Sequence, residues 1–401
     1  MIKKRNTIYL IDFLSEGHHS TYISMISETF LKMGNNIVII YPDTNFLESE
    51  IKKWKKEIDQ EIYINTPVSE YKNQSLRYKV LNNWRRSIQS IKKARKKSGL
   101  RPDLVFFCWL DNMRFHRDHR LIIKGFIKFL EIKFTYNWSG IYFHPVQYSE
   151  NAKEEIGSWN FDRIFQLKKC IGVCMLDEFV IEKTERNIKK TVIHFPDFSS
   201  CDIAPESSIY YQLKMFSKDG FLIGSIGALG ERKGLIPLMN LAIENSDGSL
   251  KFAFIGKIQK DQFSPDNLKR FLDFVEKKPE NCFFYLDKVD TEGEFNKIIS
   301  AFDAIYAAYL SFPSTSNMVF KACLLNKPLI VNKGYWMEKV VRKNNLGVVI
   351  DLDNSNFIAN IILDLKANID SGVFNPNYDL YLSENHPEKI EEKLKLLLNL
   401  I

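Results

Sequence analysis

The chain has 401 residues, of which 45% are hydrophobic and 13% aromatic, and its formal net charge is +7. This length exceeds what one ordinary core organises, so we expect a globular protein of two domains. No apolar run is long enough to cross a bilayer, no small-residue cleavage site follows the basic N-terminus, and no nucleic-acid-binding motif is present. The six cysteines lack a metal-binding spacing, which favours a reducing, cytoplasmic location.

Strand and helix patterns alternate through the first half of the chain. The predicted elements are strand 7–13, helix 21–33, strand 36–41, a charged helix-plus-strand region at 52–64, a basic helix at 84–97, strand 103–110, helix 119–130, strand 138–143, strand 171–175, helix 177–186 and strand 190–194. Such β-α repetition implies a parallel sheet with helices on both faces.

The pattern restarts after a small and polar stretch at 199–219. The predicted elements are then strand 221–226, helix 235–244, strand 250–255, helix 265–277, strand 282–286, helix 292–301, strand 304–308, helix 317–325, strand 328–331, helix 336–344, strand 347–350 and helix 356–369. The sequence therefore predicts an α/β protein with two doubly wound, Rossmann-like domains facing a central cleft. Sheets of this kind bind ligands at the carboxyl ends of their strands.

The predicted domain boundaries follow from this interruption. We expect an N-terminal domain at 1–200, a linker at 201–219, a C-terminal domain at 220–384 and a C-terminal helix at 385–401. Packing of that last helix back onto the N-terminal domain is one open arrangement.

A glycine-rich turn, Ile-Gly-Ser-Ile-Gly-Ala-Leu-Gly-Glu-Arg-Lys-Gly, joins the first strand of the second half to its first helix. We expect Gly224, Gly227 and Gly230 to take positive φ and to let a phosphate approach the backbone closely. Free N–H groups at a helix start favour an anion, and Arg232 and Lys233 add positive charge. The spacing fits neither a P-loop nor a dinucleotide fingerprint, so a plain βα turn with solvated basic residues stays open.

Further motifs stand at the later strand ends. Gly256 and Lys257 close the second strand of this half, and a Pro-Ser loop at 313–314 precedes a helix that carries Lys-Ala and then Asn-Lys-Pro-Leu-Ile-Val. This order resembles the nucleotide-sugar half of GT-B glycosyltransferases, especially the large retaining group called family 4. That group has a Gly-x5-Lys-Gly turn, a strand ending in Gly, a Pro-Ser loop, a Glu-Ala helix and Gly-x-Pro-Val-Ile.

The resemblance covers nearly the whole chain, more firmly after residue 220, and it implies a set of donor-binding residues. Arg232 or Lys233, with Lys233 preferred, is expected to meet the donor diphosphate. The other implied donor-binding residues are Gly227, Gly256, Lys257, Ser314, Ser316, Asn317 and Lys321. Serine or asparagine at a helix start also serves as a simple cap, and that alternative stays open.

The chain departs from the family in its Glu-x7-Glu motif, whose second Glu usually holds the donor ribose. Pro313 and Lys321 occupy the two positions, so both acids are absent. Lys321 is then expected to pair with a phosphate or to face solvent on its helix. The stereochemistry of transfer, which is retention in the family, is open for the same reason.

The acceptor side is expected in the first half. His144 ends a predicted strand where family-4-like enzymes often place a histidine near the reaction centre. The loop Glu-Gly-His-His after the first strand resembles the acceptor-side loop of the fold, and its Glu16 and His18 are the other catalytic candidates. The predicted acceptor-binding residues are His19, Asp111 and Asn112. Plain strand-end roles are the alternative for each.

The sequence thus predicts a metal-independent glycosyltransferase that needs no cofactor. The resemblance implies transfer of a sugar from a UDP- or GDP-sugar to a hydroxyl of a glycan or lipid-linked acceptor, and we expect a role in bacterial surface polysaccharide synthesis. Lysine, arginine and helix-end N–H groups meet the growing charge of the leaving diphosphate. The alternatives are a sugar-nucleotide epimerase of the same fold and a non-catalytic relative that binds a glycan or a partner. The basic helix 84–97 predicts either peripheral attachment to anionic membrane or a solvated surface.

Overall fold

The computed structural model describes residues 5–15, 19–54, 59–69, 76–115, 120–145, 162–205, 207–354 and 357–401, without the side chains of 76–78 and 120–123. The chain divides into two compact units. Unit 1 comprises Met1–Pro196 and His386–Ile401, and unit 2 comprises Asp197–Asn385. Within the described residues, no helix combines the length and apolarity needed to cross a membrane.

Unit 1 is built on a parallel sheet. Its elements up to the unit boundary are β1 (Thr7–Ile11), α1 (His19–Lys32), β2 (Asn36–Ile40), α2 (Thr44–Trp54), β3 (Ile62–Asn65), α3 (Leu76–Ser98), β4 (Leu104–Phe107), α4 (Arg120–Lys133), β5 (Asn137–Tyr142), β6 (Val173–Met175), α5 (Ile181–Ile188) and β7 (Val192–His194). The sheet has seven strands in the order β3-β2-β1-β4-β5-β6-β7. Strand order reverses between β1 and β4, which is the switch point where such sheets bind ligands.

The core of unit 1 explains why these segments form strands and helices. Every residue of β1 and β4 is buried, as expected for strands covered on both faces. Trp84 of α3 is fully buried and packs edge-on, at centroid distances of 5.4, 5.1 and 5.1 Å, against Phe107, Phe134 and Trp138. This aromatic cluster fixes α3 over the sheet and leaves Arg85, Lys92 and Lys93 exposed on the outer face.

Unit 2 repeats the architecture. Its elements are α6 (Ser208–Phe216), β8 (Phe221–Ile226), α7 (Leu235–Glu244), β9 (Leu250–Ile255), α8 (Pro265–Lys277), β10 (Cys282–Tyr285), α9 (Glu292–Ser300), β11 (Ala304–Ala307), α10 (Asn317–Leu324), β12 (Leu329–Asn332), α11 (Trp336–Asn344), β13 (Gly347–Ile350), α12 (Ile358–Asp370) and α13 (Tyr378–Asn385). The parallel sheet has six strands in the order β10-β9-β8-β11-β12-β13, so its switch point lies between β8 and β11. The final helix, α14 (Lys389–Leu398), belongs to unit 1, where it contacts α1 and β7.

The predicted α/β class with two doubly wound sheets is confirmed. Local details differ from the predictions. The segment predicted as a linker contains α6, which is capped by the Ser207 hydroxyl and contacts α9 and β10. The predicted helix 177–186 begins as a 3₁₀ turn at Glu178–Val180 and continues as α5. Both differences arise because the tertiary contacts of these short elements outweigh their weak local patterns.

Candidate active-site clusters

The glycine turn of unit 2 begins where β8 ends. Gly227 has a φ of 104° and Gly256, at the end of β9, a φ of 123°. A Cβ on Gly256 would lie 2.0 Å from the carbonyl oxygen of Gly227, so the two turns approach too closely for a larger residue. The prediction of positive φ is wrong for Gly224 and Gly230. Gly224 lies within β8, where a Cβ would overlap the Phe302 ring at 2.3 Å, and Gly230 is extended with a φ of −136°.

Lys233 places its ammonium group against this turn. Its Nζ donates a hydrogen bond to the carbonyl oxygen of Ile226 at 3.2 Å and lies 5.6 Å from the centroid of the Tyr309 ring. A Cβ on Gly227 would be 3.0 Å from the same nitrogen. These partners are neutral, so within the described residues no carboxylate neutralises the Lys233 charge. The carboxyl end of β8 therefore carries an unneutralised cation.

The segment that follows β11 packs against the glycine turn. The N–H of Leu310 donates to the carbonyl oxygen of Arg232 at 2.8 Å, and the Arg232 guanidinium lies 4.8 Å from the centroid of the Phe312 ring. Gly234 has a φ of 73°, and a Cβ there would lie 2.3 Å from the carbonyl oxygen of Ala308. The two segments on either side of the switch point thus form one surface of unit 2.

Glu231 stands beside the basic pair but faces another helix. Its Oε2 accepts from the N–H of Ser264 at 2.7 Å, and its Oε1 accepts from the Asn267 amide at 2.7 Å, both at the start of α8. The backbone hydrogen bond from Ser264 lowers the pKa of Glu231. The carboxylate is thereby committed to α8, and it leaves the charges of Arg232 and Lys233 unopposed.

The Pro-Ser loop ends in a helix cap, which is the alternative to ligand binding left open by the sequence. The Ser316 hydroxyl accepts from the N–H of Met318 at 3.4 Å, and Asn317 is the first residue of α10. Ser314 is buried. Lys257 has an exposed side chain, and its carbonyl oxygen accepts from the N–H of Leu229 at 2.9 Å. Contacts of these residues with a donor stay predictions.

Lys321 lies in an environment that the sequence did not indicate. Its side chain is buried, and its Nζ donates to Glu292 Oε2 at 2.6 Å and to Asn296 Oδ1 at 2.8 Å, both on α9. Burial lowers the pKa of Lys321, and the charge of Glu292 opposes that shift. The expectation that Lys321 faces solvent is wrong, because α10 turns this side chain toward α9. Two of its three N–H groups already have protein partners.

A buried histidine–carboxylate pair lies at the switch point of unit 1. Asp12 directly follows β1, and its Oδ2 lies 2.7 Å from Nδ1 of His19, the first residue of α1. Its other oxygen accepts from the N–H of Leu14 at 3.0 Å. Burial raises the pKa of Asp12, while the hydrogen bond with His19 opposes the shift. Asp12 was not among the predicted site residues, although an acid directly after a buried apolar strand was an available signal.

A second histidine–carboxylate pair lies at the ends of β4 and β5. Asp111 accepts from the N–H groups of Phe143 at 3.0 Å and His144 at 2.8 Å, and it lies 3.1 Å from His144 Nδ1. The Asp111 carboxylate therefore holds both the backbone and the ring of His144, and its predicted contact with an acceptor stays a prediction. Asn112 follows Asp111 in the 3₁₀ turn Asp111–Met113, and its carbonyl oxygen accepts from the side-chain amide of Asn83 at 2.8 Å.

Trp109 brings the two pairs into one cluster. Its ring centroid lies 4.5 Å from that of His19 and 5.4 Å from that of His144, and it stacks on Phe143 at 3.9 Å. The His144 side chain is 41% exposed, whereas His19 is nearly buried at 10%. His144 is therefore the histidine of this cluster that is available to solutes. The predicted residues Glu16 and His18 lie outside the described residues.

The acidic segment at 351–353 has ordinary surface contacts. Asp351 Oδ2 pairs with Lys333 Nζ at 2.5 Å, and its Oδ1 accepts from the N–H of Asp353 at 3.0 Å. Among the described residues, no group of three histidine, cysteine or acidic side chains is arranged to hold a metal ion.

Comparison with known proteins identifies the fold. No family model matches the sequence, and no curated protein matches it. A glycosyltransferase from Rickettsia africae is similar, with a TM-score of 0.66, 15% identity and 99% of both chains covered. Anabaena HepE in complex with UDP and glucose has a TM-score of 0.64 at 12% identity, over 99% of this chain and 100% of that chain. Sucrose-phosphate synthase from Thermosynechococcus elongatus has a TM-score of 0.65 at 13% identity, over 98% of each chain.

The likeness covers 98% or more of this chain, and it defines the fold. The protein has the GT-B glycosyltransferase fold, as the sequence predicted. Membership in the retaining family 4 stays a prediction.

Proposed function

We propose that the protein is a glycosyltransferase that binds a nucleoside-diphosphate sugar at the carboxyl end of the unit 2 sheet. The observation that carries the proposal is the Lys233 ammonium, which lies against Gly227 at the end of β8 with neutral partners only. A diphosphate supplies the missing negative charge, and a charge-assisted hydrogen bond of this kind is stronger than a neutral one. The same contact stabilises the negative charge that grows on the leaving diphosphate during sugar transfer.

Neighbouring groups suit the same ligand. Gly227 is half-buried at the end of β8, and the exposed Arg232 lies in the same glycine turn. The first turn of α10, capped by Ser316, adds N–H groups that favour an anion. Crystals of Anabaena HepE contain UDP in one case and UDP-glucose in another, which supports UDP as the nucleotide to test first.

The unit 1 cluster is proposed to handle the acceptor. Asp111 contacts Nδ1 of His144, so Nε2 is the nitrogen left for a substrate hydroxyl. A carboxylate that fixes one ring nitrogen in this way orients a histidine for general acid–base chemistry. His19, paired with Asp12, has the same arrangement but little exposure, which fits a supporting role. We propose that the group that receives the sugar is a hydroxyl of a glycan or lipid-linked acceptor, and that the reaction belongs to bacterial surface polysaccharide synthesis.

A second candidate is a non-catalytic relative that keeps the fold and binds a glycan or a partner protein. One observation favours it. Lys321 stands where the resembling family has an acid, and its ammonium is bound to Glu292 and Asn296. Product analysis separates the candidates, because sugar transfer or donor hydrolysis above the level of a Lys233→Met variant requires a catalytic protein.

Calorimetry with UDP, GDP and ADP tests the donor site. We expect the wild-type protein to bind at least one of them, and Lys233→Met to weaken that binding at least about tenfold, or about 1.4 kcal/mol. Lys269→Met, at an exposed position of α8, is the matched control and is expected to bind as the wild type does. The proposal fails if none of the three nucleotides binds, or if Lys233→Met and Lys269→Met bind equally well.

A further inference from the structure

A large cavity opens at the opposite end of the unit 2 sheet from the donor site. Its volume is about 790 Å³, within the range of small-molecule pockets. The residues that line it include Phe221 at the start of β8, Asp303 just before β11 and Pro328 just before β12. Because β8 has six residues, the cavity lies about 20 Å from the glycine turn. It is therefore separate from the proposed donor site.

The rim of this cavity carries charges of both signs. Lys327 is half-buried, and within the described part of the chain its ammonium has no hydrogen bond or ion pair. Burial lowers the pKa of Lys327, and the charge of Asp303 opposes the shift. Lys366 is paired with Asp370 on the next turn of α12, and Asp219 is exposed. Two lysines and three aspartates thus line the cavity, and one of the aspartates, Asp303, also accepts from the N–H of Leu222 at 2.8 Å.

The remaining lining is mixed: three aromatic side chains, Ile369 and two prolines stand beside the polar residues Ser249 and Asn326. Phe221 and Tyr378 are buried, and Phe374 and Ile369 are half-buried beside them. Among the described residues, the Tyr378 hydroxyl is buried without a hydrogen-bond partner. A ligand that rests on this lining needs an apolar face.

We propose that this cavity is a second binding site, and that its ligand is a neutral saccharide. The carboxylates of Asp219, Asp303 and Asp370 repel a simple anion. The ammonium groups of Lys327 and Lys366 repel an amine. A ligand with a single charge of either sign therefore does not suit the rim. Sugar hydroxyls both donate and accept, so they match a rim that offers carboxylates and ammonium groups together. The C–H face of a sugar ring matches the aromatic lining. This inference is independent of the donor-site proposal.

Saturation-transfer NMR on the full-length protein tests the inference. The probes are glucose, galactose, N-acetylglucosamine, maltotriose and cellotriose, each alone and with inorganic phosphate as a competing anion. We expect at least one sugar to receive saturation from the wild type. The signal is expected to fall at least threefold in Lys327→Met and in Asp219→Ala, two rim changes that leave the core intact.

The controls distinguish this site from the proposed donor and acceptor sites. Lys269→Met and Lys233→Met are expected to keep the sugar signal, and the two rim variants are expected to bind UDP as the wild type does. The inference is overturned if no probe receives saturation or if the signal survives in both rim variants. Displacement of the sugar by inorganic phosphate also overturns it, because the cavity is then an anion site.

Discussion

Charged side chains near the carboxyl end of the unit 2 sheet differ sharply in their surroundings. Lys233 contacts neutral groups, Lys321 is buried against Glu292, and Glu231 is committed to the start of α8. Their positions in the chain do not explain these differences, because each partner comes from another element. The contacts decide which charge is available to a ligand, and Lys233 is the best placed of the three.

Glu231→Gln is expected to lose stability in a pH-dependent manner. The hydrogen bond from the Ser264 N–H lowers the pKa of Glu231 below its ordinary 4.5, so the folded state favours the ionised form. That contribution is present above the unfolded pKa and is lost as pH falls through the lower folded pKa. We expect a loss of about 1 kcal/mol at neutral pH, typical of a helix-start contact, and a smaller loss below pH 4.5.

Urea unfolding across that pH range measures the effect. Glu276→Gln, at an exposed acid of the same α8, is the control and is expected to have little effect at any pH. A loss for Glu231→Gln that stays constant from neutral to acidic pH would argue against the assigned role.

At the scale of the element, α3 combines a core face with a basic outer face. Trp84 and Ile91 are buried, whereas Arg85, Lys92 and Lys93 are exposed. Arg86 belongs to neither group. Its Nε donates to the carbonyl oxygen of Val68 at 2.6 Å, and its guanidinium lies 4.3 Å from the centroid of the Phe13 ring. A test of the membrane hypothesis must therefore leave Arg86 unchanged.

Reversal of the outer charges tests whether α3 attaches the protein to membranes. We expect Arg85→Glu, Lys92→Glu and Lys93→Glu together to weaken binding to phosphatidylglycerol vesicles at least about tenfold, since each basic residue near an anionic surface is worth about 1 kcal/mol. Vesicle co-sedimentation at low salt is the measurement. The control reverses three exposed lysines of unit 2, namely Lys269, Lys277 and Lys288. If the α3 variant binds the vesicles as strongly as the wild type does, α3 does not attach the protein to membranes.

At the scale of the whole molecule, each unit has its own parallel sheet, its own core and its own switch point. The clusters described above lie at the carboxyl ends of strands in both units, because a doubly wound sheet leaves a crevice where its strand order reverses. The large cavity of unit 2 lies at the amino ends instead. The two proposed sites of unit 2 therefore lie at opposite ends of one sheet.

Hydrogen exchange with and without UDP tests this separation. A ligand that binds only the folded state stabilises it by mass action, and nearby amides are protected most. We expect UDP to slow exchange at 227–234, 256–257 and 308–317 and to leave 326–328 unchanged. Lys233→Met is expected to lose this protection at the same UDP concentration. Protection confined to the amino-end segment would contradict the assignment of the donor site.

The order of strands and helices was predictable because it depends on local patterns: apolar runs, helical periodicity and glycine turns lie within a few residues of one another. Gly227 and Lys233 became candidate donor-binding residues in the same way, since both belong to one short turn. The acid Asp12, which pairs with His19, was missed. The partners of Lys321 were unpredictable because Glu292 lies on a different helix. Seven residues separate the first pair and 29 the second.

The sequence by itself determined the α/β class, the two doubly wound sheets and the glycine turn with its basic pair. Only the tertiary structure decided which charges are neutralised, which histidine is exposed and where the second cavity lies. The physical reason is that backbone conformation responds mainly to neighbours in the chain, whereas the ionisation and exposure of a side chain respond to whatever packs against it.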